Sequence, residues 1–103
     1  MIFTVAIGMS ASSTYKLFAA GRQLKLVGAS GSGKFILSTD SNATYAAFTS
    51  LAGGTVDSDV IFHNAAAALT SPIPSVDISA DSDLFVANGP SAGQLTLWFD
   101  DLT

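Results

Sequence analysis

The sequence predicts an all-β protein, an antiparallel β-sandwich of jelly-roll-like or Greek-key type, with about eight short strands and one short helix near residues 64–69. Three observations predict it. Runs rich in Val, Ile, Leu, Phe and Thr recur along the chain, separated by clusters of Gly, Ser, Asp and Pro. All 8 acidic residues are Asp, and Asp, Ser, Thr, Gly and Asn favour turns and strand ends over helix interiors. Finally, 103 residues with 49% hydrophobic and 12% charged side chains can fill one core, so residues 1–103 are expected to form a single domain.

Strands are expected at Ile2–Ile7, Thr14–Ala19, Gln23–Val27, Lys34–Thr39, Tyr45–Thr49, Val56–His63, Leu84–Asn88 and Gln94–Asp100. Each is a short apolar or alternating run bounded by turn formers. The segment from Asn64 to Leu69, NAAAAL, has a capping Asn followed by the best helix-forming residue. Pro72 and Pro74 then require an extended connection. The hexapeptides DSDVIF, from Asp57, and DSDLFV, from Asp81, echo each other, which similar turn-to-strand chemistry explains without a repeat.

Composition excludes several functions. A net charge of −4 with only 4 cations disfavours a phosphate-tracking surface, so no nucleic-acid partner is expected. The absence of cysteine excludes disulfides and thiolate chemistry. No apolar run approaches the length of a membrane span, and no basic residue precedes the first one, which argues against a membrane partner and a secretory signal. Asn42-Ala43-Thr44 is read as loop chemistry rather than a glycosylation site. The cations Lys16, Arg22, Lys25 and Lys34 precede every Asp, a split that offers head-to-tail packing of copies if it survives folding.

One stretch looks catalytic. Gly28-Ala29-Ser30-Gly31-Ser32-Gly33-Lys34 satisfies GxxxxGK, but Phe35 stands where a phosphate-binding loop needs a magnesium-binding hydroxyl at the start of a helix. Phe35-Ile36-Leu37 continues as strand formers, so a glycine-serine hairpin connection is expected instead. The single His63 lacks a second histidine or a nucleophile and is expected at a strand edge or interface. Asp57-Ser58-Asp59 and Asp77 with Asp81-Ser82-Asp83 lack the DxDxDG calcium-loop pattern and are read as solvated turns. No catalytic residue, cofactor or metal site is expected, and the protein is read as a non-enzyme.

Alternation supplies the candidate site. In Gln94 to Asp100, Leu95, Leu97 and Phe99 share one face and leave Trp98 among Gln94, Thr96 and Asp100. By the same rule Ile61 joins Asp57, Asp59 and His63, Phe18 joins Thr14 and Lys16, Ile36 joins Lys34 and Ser38, and Phe85 joins Asp83. Large apolar residues inside polar rims are typical of protein interfaces. Trp98, Phe85, Ile61, Phe18 and Ile36 are therefore the expected protein-interface residues, unless bulges or two-sided burial carry them into the core.

The final third, Ser75-Val76-Asp77-Ile78 through Leu84-Phe85-Val86-Ala87-Asn88-Gly89 to Gly93-Gln94-Leu95-Thr96-Leu97-Trp98-Phe99, resembles the ends of small capsid cement or decoration proteins of tailed bacteriophages. The rest of the chain shares only their texture. The resemblance implies a non-enzymatic virion protein on the capsid surface that stabilises a phage head. Its implied partners are the major capsid protein or other virion proteins, and a homo-oligomer, dimer or trimer, is implied. The alternative from a different class is a small carbohydrate- or receptor-binding sandwich of a fibre, with Trp98 as stacking platform.

Overall fold

The computed structural model describes residues 1–32, 34–46, 60–64, 68–69, 76–78 and 81–102. Its strands are β1 (Ile2–Met9), β2 (Thr14–Phe18), β3 (Leu24–Ser32), β4 (Phe35–Ser38), β5 (Val60–Asn64), β6 (Ala68–Leu69), β7 (Val76–Ile78), β8 (Leu84–Asn88) and β9 (Gly93–Asp101). They form two antiparallel sheets. One runs β1-β9-β3, with β6 and β7 sharing the far side of β3; the other runs β2-β8-β4-β5.

The pairing is nested: first strand with last, second with second-to-last, β3 with β6 and β7, and β4 with β5. This is the strand order of a jelly roll, one long antiparallel hairpin rolled into two layers. The rolling divides the strands between two sheets, β1, β3, β6, β7 and β9 in one and β2, β4, β5 and β8 in the other, so the core fills between layers. Leu95, Leu97 and Phe99 of β9 face Phe35 and Leu37 of β4 and Leu84 and Val86 of β8 across that core, with Leu24, Leu26 and Ile78 completing it. The alternation read from Gln94 to Asp100 is the one observed, with the three apolar residues buried and their neighbours partly buried or exposed.

Phe3, Phe18 and Phe99 close one end of the core. Phe18 meets the edges of both other rings, with centroids at 5.8 and 5.3 Å, while Phe3 and Phe99 stack at 5.8 Å. The Arg22 guanidinium lies 5.0 Å from the Phe3 ring and 4.8 Å from the Phe18 ring, and bonds Asp101 at 3.1 Å. A guanidinium over aromatic rings both covers apolar surface and is attracted to their negative faces.

Four expectations about elements change. The glycine-serine stretch is not a hairpin connection: β3 runs through Gly28 to Ser32, paired with β9, and the chain then crosses to the other sheet at β4. Gly31, at φ +142°, is required there because a Cβ would strike the carbonyl oxygen of Gln94. The expected helix at 64–69 is absent at its described positions, where Asn64 ends β5 and Ala68–Leu69 pair with Ser32 and Gly31. A helix so short has little beyond its nucleation cost to gain, whereas β3 offers open ladder partners. Tyr45 and Ala46 are helical rather than strand, while 47–49 of that expected strand and 56–59 of the next lie outside the described residues. Finally, Val76–Ile78, which falls in none of the expected strands, joins the first sheet as β7.

Candidate functional site

The outward side of the β1-β9-β3 sheet is built in rows across the strands. Ile2, Asp100 and Lys25 form the first row, with Asp77 of β7 beyond Lys25; Thr4, Trp98 and Gly28 form the second; Ala6, Thr96 and Ser30 the third; Gly8 and Gln94 the last. Charge is confined to the first row, where Lys25 lies 3.9 Å from Asp77 and the Met1 amine 3.0 Å from Asp100. The other three rows carry no charge, and Trp98 is their one aromatic residue.

Apart from Trp98 the residues of these rows are small or polar, and a concavity of about 200 Å³ opens beside Ala6, Gly8, Gln94 and Thr96. Trp98 is partly buried, and its cross-strand partner Gly28 is itself buried and has no side chain to stand beside the indole. Thr4, Ala6 and Gly8 are exposed on its other side. With rows about 6.8 Å apart and strands about 4.8 Å apart, the uncharged area is about 20 Å by about 14 Å.

The five residues expected on one assembly face are dispersed. Trp98 lies on the outside of the first sheet and Phe85 on the outside of the second, where its cross-strand partners are Lys16 and Ser38. Phe18 packs against the core because β2 bulges at Leu17: the register passes from Lys16–Phe85 to Phe18–Leu84, turning Phe18 to the inward side of Leu84. Ile61 is the extra residue of a second bulge, between the pairs Leu37–Phe62 and Ser38–Val60, and also packs against the core. Ile36 does point outward, yet it is fully buried with Ala87 beneath Tyr45, Ala43 and Val60.

That cover is folded by local hydrogen bonds. Asp40 Oδ1 accepts from the Asn42 amide at 2.9 Å, and the Asp40 carbonyl from the Ala43 amide at 3.2 Å, turning the chain back over the second sheet. Thr14 Oγ1 donates to the Ala43 carbonyl at 2.8 Å and pins the turn. Burial raises the Tyr45 hydroxyl pKa above the ordinary tyrosine value. His63, exposed on edge strand β5, has Nε2 3.4 Å from the Tyr45 hydroxyl.

Sequence reasoning missed a pocket of about 360 Å³ beside this cover, lined by Ser12, Thr44, Tyr45, Asn88 and Pro90 among others. Asn88 is 1% exposed and donates from Nδ2 to the Ser10 and Ser91 carbonyls, both at 2.9 Å, joining two loops. Its Oδ1 is buried and accepts no hydrogen bond. The pocket joins residues far apart in the chain, so no local motif marks it.

The acidic clusters disperse as well. Asp83 accepts from the Ala20 amide at 2.8 Å and lies 3.3 Å from Lys16 Nζ; the amide first and the lysine second hold its carboxyl below the usual range. Asp77 meets Lys25, and Asp57 and Asp59 lie outside the described residues. Among the described residues no group of three His, Asp or Glu side chains converges to hold a metal ion. The sequential charge split becomes cross-strand pairing, since Lys16, Arg22 and Lys25 each meet an Asp of a later strand or turn, which removes the basis for head-to-tail packing.

No family model matches the chain, and no curated protein matches it significantly. A solved structure from work on Bacillus endospore appendages, described as a family of disulfide-linked pili, superposes with a TM-score of 0.40. It is 12% identical, and the match covers 100% of this chain and 88% of that one. A likeness of that size identifies neither a family nor a function.

Proposed function

We propose that the protein is a non-enzymatic structural module, a capsid cement protein of a tailed phage that seats the Trp98 face on a protein shell. The observation that carries this reading is the uncharged part of the first sheet's outer surface, three rows of mostly small residues with one partly buried aromatic, Trp98, in the row beside the charged one. Such a surface loses little on desolvation, and interface cores are depleted of charge and enriched in aromatic residues. The sequence resemblance supports the virion setting, and jelly rolls serve in viral capsids as well as in lectins, which is support by fold analogy. An area on the order of 300 Å² is smaller than the roughly 800 Å² per partner of a stable interface. The clamp therefore needs more contact than one face of one copy provides.

A small glycan-binding module is the second reading, favoured by the pocket beside Tyr45. One experiment separates them. Purified heads lacking the protein are heated with added wild type or Trp98→Glu, and the same proteins are titrated with a glycan panel. Heads protected by wild type and not by Trp98→Glu support the cement reading. Equal fragility with and without the protein, alongside a saturable glycan response, replaces it with the second.

A further inference from the structure

The outer edge of the first sheet differs from every other described sheet edge. β1 spans eight residues, IFTVAIGM, and pairs with β9 from Ile2–Asp100 to Met9–Gly93 without a break. It contains no charged residue, no proline and no bulge. The far side of β3 holds only two-residue β6 and three-residue β7, with Asp77 exposed. In the second sheet, β2 is bulged and carries exposed Lys16, and β5 is bulged and carries exposed His63. Short length, bulges and charge are the usual means of blocking strand addition, and β1 has none of them.

The ladder shows which groups point outward. The Met1 amine donates to the Asp101 carbonyl, and the Asp101 amide to the Met1 carbonyl, so these residues form a hydrogen-bonded pair. In an antiparallel ladder such pairs alternate. Phe3, Val5, Ile7 and Met9 therefore bond toward β9, while Ile2, Thr4, Ala6 and Gly8 direct their N–H and C=O groups away from the sheet.

We infer that this edge pairs with the β1 of a second copy, antiparallel and centred on Val5. A two-fold axis there sets Thr4 opposite Ala6 and Ile2 opposite Gly8 of the other copy, using every outward amide and carbonyl from Ile2 to Gly8. It also matches faces. Phe3 meets Ile7 on the inner side, where both are only partly buried in one copy, and small residues meet on the outer side. With no charge on the strand, nothing repels the second copy. The joined sheets carry two Trp98 faces about 14 Å apart between their β9 strands, three strand spacings, which doubles the uncharged area available to a shell.

Light scattering after size exclusion, over a wide concentration range, tests the pairing. A dimer is expected for wild type. Ala6→Pro removes an amide that points away from β9, a position where an edge strand tolerates proline, and should yield a monomer that keeps the wild-type β circular dichroism and unfolds cooperatively. Val5→Cys, in a chain without native cysteine, sets two thiols on facing non-hydrogen-bonded positions and should cross-link the dimer under mild oxidation; Ser13→Cys should not. If Ala6→Pro does not fold, the cross-link decides. A wild type that stays monomeric, a dimer that survives Ala6→Pro, or a dimer that Val5→Cys does not link overturns the inference. Trp98→Glu leaves the mass unchanged, so loss of shell protection and loss of the dimer are read separately.

Discussion

Replacing Gly31 by alanine tests why the glycine-serine stretch has the composition it has. At φ +142° an L-residue costs about 1–3 kcal/mol. The added methyl also strikes the Gln94 carbonyl on β9, and backbone cannot swing aside as a flexible side chain can. Relief requires β3 and β9 to part near the Gly31–Leu95 pair, which loses one or two ladder bonds at about 0.5–1.5 kcal/mol each. The sum is about 3 kcal/mol, a large share of the roughly 5–15 kcal/mol that stabilises a domain of this size. Thermal unfolding followed by circular dichroism should show Tm lowered by about 12–24 °C, at about 4–8 °C per kcal/mol. Gly8→Ala is the control: nothing lies within 4 Å of a Cβ there, and the change should stay within about 1 kcal/mol. Equal melting of Gly31→Ala and wild type would refute the strand assignment of this segment and reopen a loop conformation for it.

The bulge at Leu17 predicts that Phe18 and Phe85 behave differently although alternation assigns both to polar faces. Phe18→Ala should cost about 3–5 kcal/mol in urea unfolding, as for a core phenylalanine, and Phe85→Ala distinctly less; equal losses would place Phe18 outside the core. The two tyrosines should titrate apart. The Ser10 amide, 3.0 Å from the Tyr15 hydroxyl, holds that group below the ordinary value, while burial holds Tyr45 above it. With its folded pKa raised, Tyr45 contributes stability that is full below the ordinary tyrosine pKa and lost as pH rises through the higher folded one. Ultraviolet difference absorbance should therefore show two steps, and Tyr45→Phe should retain the lower one; a single step at the ordinary value contradicts both environments.

The sequence by itself determined the class of fold and most of its strands. Alternating apolar residues, a shortage of helix formers, and turn residues at short intervals are local properties, and Gln94 to Asp100 shows its buried face in its letters alone. It also determined that Lys34 is followed by strand, because Phe35-Ile36-Leu37 can neither ligate magnesium nor open a helix. The tertiary structure decided which second-face residues reach the surface. Bulges at Leu17 and Ile61 depend on the strands alongside, and burial of Ile36 depends on Tyr45 returning across the sheet, so neither is written in any short window. The same holds for Asn64 to Leu69, whose local helix preference is small beside the ladder partners offered by β3. Which strand is left at an edge follows from the nested pairing of the whole roll, and through it β1, an unremarkable apolar run in the sequence, becomes the one long uncharged edge among the described strands.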